Sequence, residues 1–152
     1  MIKDLILKKC FADFLEAWQL KEKSDISEAT KFEMFANYVI LSQDDLDTFV
    51  GHPELLEFCS TGGGDDAKMD GIGIKINDQW VGSIDDINQI VERNKKIHVE
   101  FFLIQSKERT DFDSSAVNTF GIGVKNFFSE PLFPENDKIK TIRELSLIHI
   151  WR

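Results

Sequence analysis

Thiols, imidazoles and long apolar runs are all scarce in this 152-residue chain, and each shortage removes a class of protein. The two cysteines, Cys10 and Cys59, stand in no CxxC pair. No disulfide framework is written here, and a reducing compartment is the expected home. Three histidines are too few for a zinc cage, and neither His52 nor His98 adjoins a nucleophile motif that would make a triad. No apolar run approaches the roughly 18–20 residues of a membrane span. The first residues, Met1-Ile2-Lys3-Asp4, are interrupted by charge too early for a signal peptide. A cytoplasmic location is expected. Basic charge is short as well: 18 Lys and Arg stand against 27 Asp and Glu, a net charge of −9. That balance argues against a free-standing basic nucleic-acid module, which needs clustered cations for phosphate. An enzyme that touches nucleic acid with a few residues stays compatible with it.

The glycine-rich stretches complete no nucleotide fingerprint. Gly62-Gly63-Gly64 lacks the Gly-Lys-Ser/Thr that closes a P-loop, and neither Gly71-Ile72-Gly73 nor Gly121-Ile122-Gly123 acquires its third glycine. What is abundant is phenylalanine, 13 residues, in a chain that is 42% hydrophobic and 30% charged. This is the composition of a globular domain with a packed interior, and the length fits one such domain.

The last residues stand apart. Leu145-Ser146-Leu147-Ile148-His149-Ile150 reads as the in-frame translation of a transposon-end adaptor used in sequencing libraries, and Trp151 and Arg152 follow it. On that reading residues 1–144 are one natural domain, the N-terminal part of a longer protein, and residues 145–152 are foreign. Removing the single Arg in that segment deepens the net charge from −9 to −10 and leaves two histidines.

Along the chain, Ile2, Leu5, Ile6, Phe14, Leu15 and Trp18 recur at helical spacing. Ser24 or Ser27 can cap a second helix reaching Leu41, with Phe32, Phe35, Ala36 and Val39 on one face. Residues 42–59 read as helical turns started by Asp44 and Asp45. After the glycine-rich loop, Ile72, Ile74 and Ile76 alternate with Gly and Lys in the period-2 pattern of a strand. Asn77-Asp78 turns the chain into a short return strand, and Ser83 caps a helix ending at Arg93-Asn94-Lys95-Lys96. Residues 97–105 form a nearly continuous apolar strand, expected to be central and buried on both faces. Phe112, Val117, Phe120, Val124, Phe127 and Phe128 give a further helix, ended by Pro131. The domain is therefore of mixed α/β class.

One constellation carries chemistry. Asp70 enters the first strand directly from the glycine-rich loop, and Gln105 and Lys107 end the long strand on one face. With those strands as neighbours, Asp70 lies beside Gln105 and Lys107, and Glu33 approaches from the second helix. An acid, an amide oxygen and a lysine at one sheet end suit a hard divalent cation and a phosphodiester under attack by water. Taken singly, an Asp in a Gly-rich turn is a turn former and a Lys after a buried strand marks its exit to solvent. Glu100 lies an odd number of residues from Gln105 and so on the opposite face. Arg109, Lys125 and the basic helix end read as solvated surface rather than phosphate contacts, His98 and Cys59 as packing, and Trp80 as core or rim.

Gly62-Gly63-Gly64-Asp65-Asp66-Ala67-Lys68-Met69-Asp70-Gly71-Ile72 followed by Phe102-Leu103-Ile104-Gln105-Ser106-Lys107 resembles the PD-(D/E)xK nuclease superfamily, in its Mrr-like branch with Gln in the last motif. With the Ser-Ile-Asp-Asp helix between these motifs and the Phe-rich helix after them, the pattern is similar to the N-terminal domain of abortive-infection phage-resistance proteins, over residues 28–131. The resemblance implies a restriction-endonuclease-like three-layer core, a mixed sheet flanked by helices, with extra N-terminal helices. It implies Asp70 and Gln105 as ligands of Mg²⁺ or Mn²⁺, Lys107 as catalytic lysine and Glu33 as helix acid, with Glu28 a nearby competitor. The implied activity is cleavage of DNA or RNA in phage defence, with no membrane partner. Neutral Gln105 departs from the acid-x-Lys form and removes one negative charge from the site. A catalytically silent domain that keeps the fold as a binding or assembly module is therefore the alternative. An unrelated α/β domain would hold Asp70 and Lys107 far apart.

Overall fold

Ten elements follow one another in the described residues of the computed structural model, which are residues 2–43, 45–107, 113–129 and 131–146. They are α1 (Leu5–Ala17), α2 (Glu28–Leu41), α3 (Leu46–Gly51), α4 (Pro53–Cys59), β1 (Gly71–Ile76), β2 (Gln79–Trp80), α5 (Ile84–Arg93), β3 (Val99–Ile104), α6 (Ser114–Phe127) and α7 (Asp137–Glu144). Capping chemistry sets the helix starts. Ser27, not Ser24, caps α2 by accepting the Thr30 N–H at 3.1 Å, and Ser83 caps α5 by accepting the Asp86 N–H at 3.2 Å. Asp45 does the same for α3 through the Thr48 N–H. Asp44, Arg109 and Phe112 lie outside the described residues. Helix α7 falls where the sequence pattern predicts no element, because only Ile139 and Ile142 are apolar in it; both are fully buried.

The three strands pair in the order β2-β1-β3, and both pairings are antiparallel. Among the described residues the sheet is thus antiparallel throughout, not mixed as expected. Asn77 and Asp78 turn β1 into β2 with φ of 48° and 63°, the left-handed pair of a tight hairpin.

The nearly continuous apolar strand, expected to be central, is not. Among the described residues the central strand is β1, buried along its whole length, whereas β3 pairs on one side only and is mostly half-buried. The apolar run in β3 divides by alternation. Val99, Phe101 and Leu103 face one cluster, while Phe102 and Ile104 face the other. In β1 the small residues are what permit full burial. A Cβ on Gly73 would stand 3.0 Å from Leu41 and 2.9 Å from Trp80, so these glycines let helix α2 and the Trp80 ring press on the strand backbone.

Helices cover both faces. Ile72, Ile74 and Ile76 pack with Ile87 and Ile90 of α5, Phe127 of α6, and Ile139 and Ile142 of α7. The opposite face holds Phe14 of α1, Phe35 and Leu41 of α2, Phe49 of α3, and Leu55 and Leu56 of α4. Aromatic edges fill this second cluster, with the Phe14 ring 5.5 Å from Phe35 and 5.4 Å from Tyr38. Leu145, where the segment read as foreign begins, is buried with Ile139 and Ile142, and residues 147–152 lie outside the described residues. No described helix is long and apolar enough to cross a membrane.

Candidate functional site at the end of the sheet

The glycine-rich loop is held in shape before it reaches Asp70. Gly63 and Gly64 take φ of 116° and 92°, and Asp65, Ala67 and Lys68 follow in the left-handed region. Asp66 stabilises that path locally: its carboxylate accepts the Lys68 N–H at 2.8 Å and its carbonyl accepts the Met69 N–H at 2.8 Å. Asn136, the N-cap of α7, donates to the carbonyls of Thr61 and Gly64 at 2.8 and 3.2 Å. From α6, Gly123 presses on the Ala67 carbonyl, which a Cβ there would meet at 2.3 Å.

Asp70 is consequently locked by its backbone. Its N–H donates to Ile104 at 2.8 Å, and its carbonyl accepts from the Thr61 N–H at 3.1 Å and from Asn37 Nδ2 at 2.9 Å. The side chain is buried, and Oδ2 accepts two bonds from Ser106, the backbone N–H at 2.6 Å and the hydroxyl at 3.1 Å. Burial pushes the Asp70 carboxyl above its ordinary range, Ser106 and then Lys107 pull it back, and Asp66 adds repulsion.

Glu33 sits at mid-length of α2, one helical turn before Asn37, so both residues look onto the same sheet end. Its carboxyl rests on Gly62, where a Cβ would collide with it, and Oε2 is shielded from water with no hydrogen-bond partner. Burial chiefly, then the negative charges of Asp70 and Asp66, push its pKa up from 4.5 to about 7, with Lys107 opposing. Glu28, the competing helix acid, is exposed at the start of α2 and accepts Lys31 Nζ at 2.9 Å. Five residues before Glu33, it points well away around the helix.

Lys107 is exposed and close enough to feel both Glu33 and Asp70. Gln105 is half-buried, one residue past the last paired position of β3, where Ile104 faces Gly71. Asp70, Glu33 and Lys107 therefore share one electrostatic neighbourhood, with Gln105 at its strand end. Glu100 pairs with Lys75 in mid-sheet and lies beside His98.

Compared with protein-family models, with curated proteins and with solved structures, the chain finds no match. The site has to be read from its own chemistry. Among the described residues, no group of three or more His, Cys, Asp or Glu side chains is gathered closely enough to enclose a metal ion. The oxygen donors are two carboxyls, one amide and loop backbone, an open arrangement.

Sequence reasoning missed three participants. Ser106 is the middle residue of Gln105-Ser106-Lys107, and strand alternation assigns it to the wrong face. It reaches Asp70 because the strand has ended and the chain turns. Asp66 reads in the sequence as one more loop acid. Asn37 is fully buried in α2, and nothing in an amphipathic pattern shows an amide reaching the Asp70 carbonyl and Ser60 Oγ.

Proposed function

We propose that this chain is a divalent-metal-dependent nuclease domain of the abortive-infection phage-resistance type, with a restriction-endonuclease-like core, acting in the cytoplasm on phosphodiester bonds of DNA or RNA. The observation that carries the reading is the shared electrostatics of Glu33, Asp70 and Lys107 at the junction of the glycine-rich loop with β1 and the end of β3. Two carboxyls set close enough that the Asp70 charge helps raise the Glu33 pKa, with Asp66 adding to both, suit a positive charge between them. The donor set fits Mg²⁺ or Mn²⁺, because such ions keep several waters and need only one or two carboxylates plus substrate phosphate.

Asp70 would hold the ion through Oδ1, since Oδ2 is occupied by Ser106. Glu33 and the Gln105 amide oxygen would complete the protein's share. When bound, the ion supplies Lewis-acid polarisation of a phosphoryl oxygen and a water of lowered pKa. Lys107 stabilises negative charge developing on the phosphate and orients the attacking water. Ser106 holds the Asp70 carboxylate in one rotamer, and Asn37 fixes the backbone behind it.

The alternative is a binding or assembly module that keeps the fold without turnover. Neutral Gln105 favours it, because the site then attracts a cation with less charge. The deciding experiment measures cleavage of plasmid and RNA with Mg²⁺ or Mn²⁺ by the wild-type protein, Asp70→Ala and Lys107→Ala. Cleavage lost in both variants supports the nuclease. Equal cleavage by all three proteins sinks it, and metal-independent nucleic-acid binding indifferent to Lys107→Ala favours the module.

A further inference from the structure

Beside Glu33, between α2, α4 and the start of the glycine-rich loop, the structure holds a partly open cavity of about 220 Å³. Its walls include the aliphatic side chains of Leu20, Ile26 and Met34, and Glu33 supplies a carboxyl. Lys23 and Lys138 border it. The Lys138 ammonium is fixed by donating to the carbonyls of Glu57 and Ser60, both at 3.0 Å, at the C-terminal end of α4. The volume is below the roughly 300–1,000 Å³ of pockets that bury drug-sized ligands, so it suits a single ring system and not a larger ligand. Apolar walls suit the faces of a flat ring, the Glu33 carboxyl in the wall can accept a hydrogen bond, and two lysines at the border call for an anion.

We propose that this cavity receives one nucleobase of the bound strand, with an amino or ring N–H donating to Glu33 and the adjoining phosphate lying by Lys23 and Lys138. The inference rests on the nuclease reading for the identity of the polymer. It adds that the site grips a base as well as the backbone. Glu33 is the wall shared by the cavity and the metal-binding side of the site, so a base seated here sets which phosphate comes to rest near Asp70 and Lys107. The cavity is lined by α2, α4, the chain between α1 and α2, Lys138 of α7 and Gly62 at the start of the glycine-rich loop, so it adjoins the loop that carries Asp70 without including Asp70 or Lys107.

The test uses the 152-residue protein and 5′-fluorescein-labelled single-stranded oligonucleotides, one with normal bases and one with consecutive abasic sites, followed by fluorescence anisotropy in EDTA. Wild-type protein is expected to bind the normal strand about tenfold more tightly than the abasic one. Filling the cavity by Ile26→Trp should abolish that preference and leave abasic binding unchanged. Met34→Phe provides a second, milder filling, and far-UV circular dichroism with thermal melts verifies folding of both. Equal wild-type affinity for the two strands overturns the proposal, as does a base preference that survives in a folded filled variant. Cleavage with Mg²⁺ is measured in parallel to separate the two readings. Base-dependent binding without cleavage keeps the cavity and sinks the nuclease. Cleavage without base dependence does the reverse.

Discussion

Replacing Glu33 with Gln tests the electrostatics of the site without any substrate. The wild-type carboxyl titrates at about 7 in the folded chain against an ordinary 4.5, because it is partly buried and faces Asp70 and Asp66. The folded state therefore holds this proton more tightly than the unfolded state. Between about pH 4.5 and 7 the folded chain binds more protons, so wild-type stability falls as pH rises through that window and levels off above it. At about 1.4 kcal/mol per decade, the full ionisation penalty would be about 3 kcal/mol. The carboxyl is half-buried and water screens part of the interaction, which leaves about 1–2 kcal/mol. Glu33→Gln removes the charge and nearly keeps the shape. The expected result is an advantage of the Gln variant of about 1–2 kcal/mol at pH 8 that shrinks steadily on acidification and disappears near pH 4.5. Urea unfolding followed by circular dichroism at half-unit steps from pH 4.5 to 8.5 reads it directly. An advantage that stays constant across this range, or a variant that is less stable at pH 8, refutes the reasoning.

Three further outcomes follow from the same geometry. Mg²⁺ at ten times its dissociation constant should raise wild-type stability at pH 8 by about 1.4 kcal/mol, and Glu33→Gln or Asp70→Ala should lose most of that gain in thermal melts. Gly71→Ala drives a Cβ to 2.3 Å from Asn37 Oδ1 and to 2.6 Å from its Cγ. The buried amide must shift away from the Asp70 carbonyl, so a loss of about 1–3 kcal/mol in urea unfolding is expected, and an unchanged midpoint would contradict the packing. Glu135→Leu leaves the Arg143 guanidinium, 2.8 Å away and with an unpartnered Nε, without its counter-charge. Because Arg143 keeps some solvent contact, the expected cost is about 2–3 kcal/mol, below that of a fully buried pair. The double variant Glu135→Leu with Arg143→Leu should recover part of it.

Periodicity carried far in this chain because most elements are amphipathic in the ordinary way. The Ile72-Ile74-Ile76 alternation, the Phe32-Phe35 stripe and the Ser27 and Ser83 caps correspond to β1, α2 and α5. It failed where burial came from size or position and not from hydropathy. Gly71, Gly73 and Lys75 are not apolar side chains, yet all three are buried in β1. Lys75 stays there because its ammonium lies 5.6 Å from the centre of the Trp80 ring and its stem packs within the sheet. At α7 the polar N-cap Asn136 and, within the helix, Arg143 are fastened to other parts of the chain, by the Thr61 carbonyl and by Glu135, and only two apolar residues were left to signal the helix.

By itself the sequence determined the order and the kinds of the elements before α7, the acidic balance, the shortage of thiols and imidazoles, and a short set of polar residues near strand ends. Those follow from local rules of capping, alternation and composition. Only the tertiary structure decided that β1 is the central strand, because strand order depends on which backbone edges pair and not on which strand is more apolar. Only it put Glu33, and not Glu28, against Gly62, since that turns on which face of α2 looks at the loop. And only it brought Ser106, Asp66 and Asn37 to Asp70, because those contacts span up to 36 residues of chain and close when the glycine-rich loop folds between α6, α7 and the sheet end.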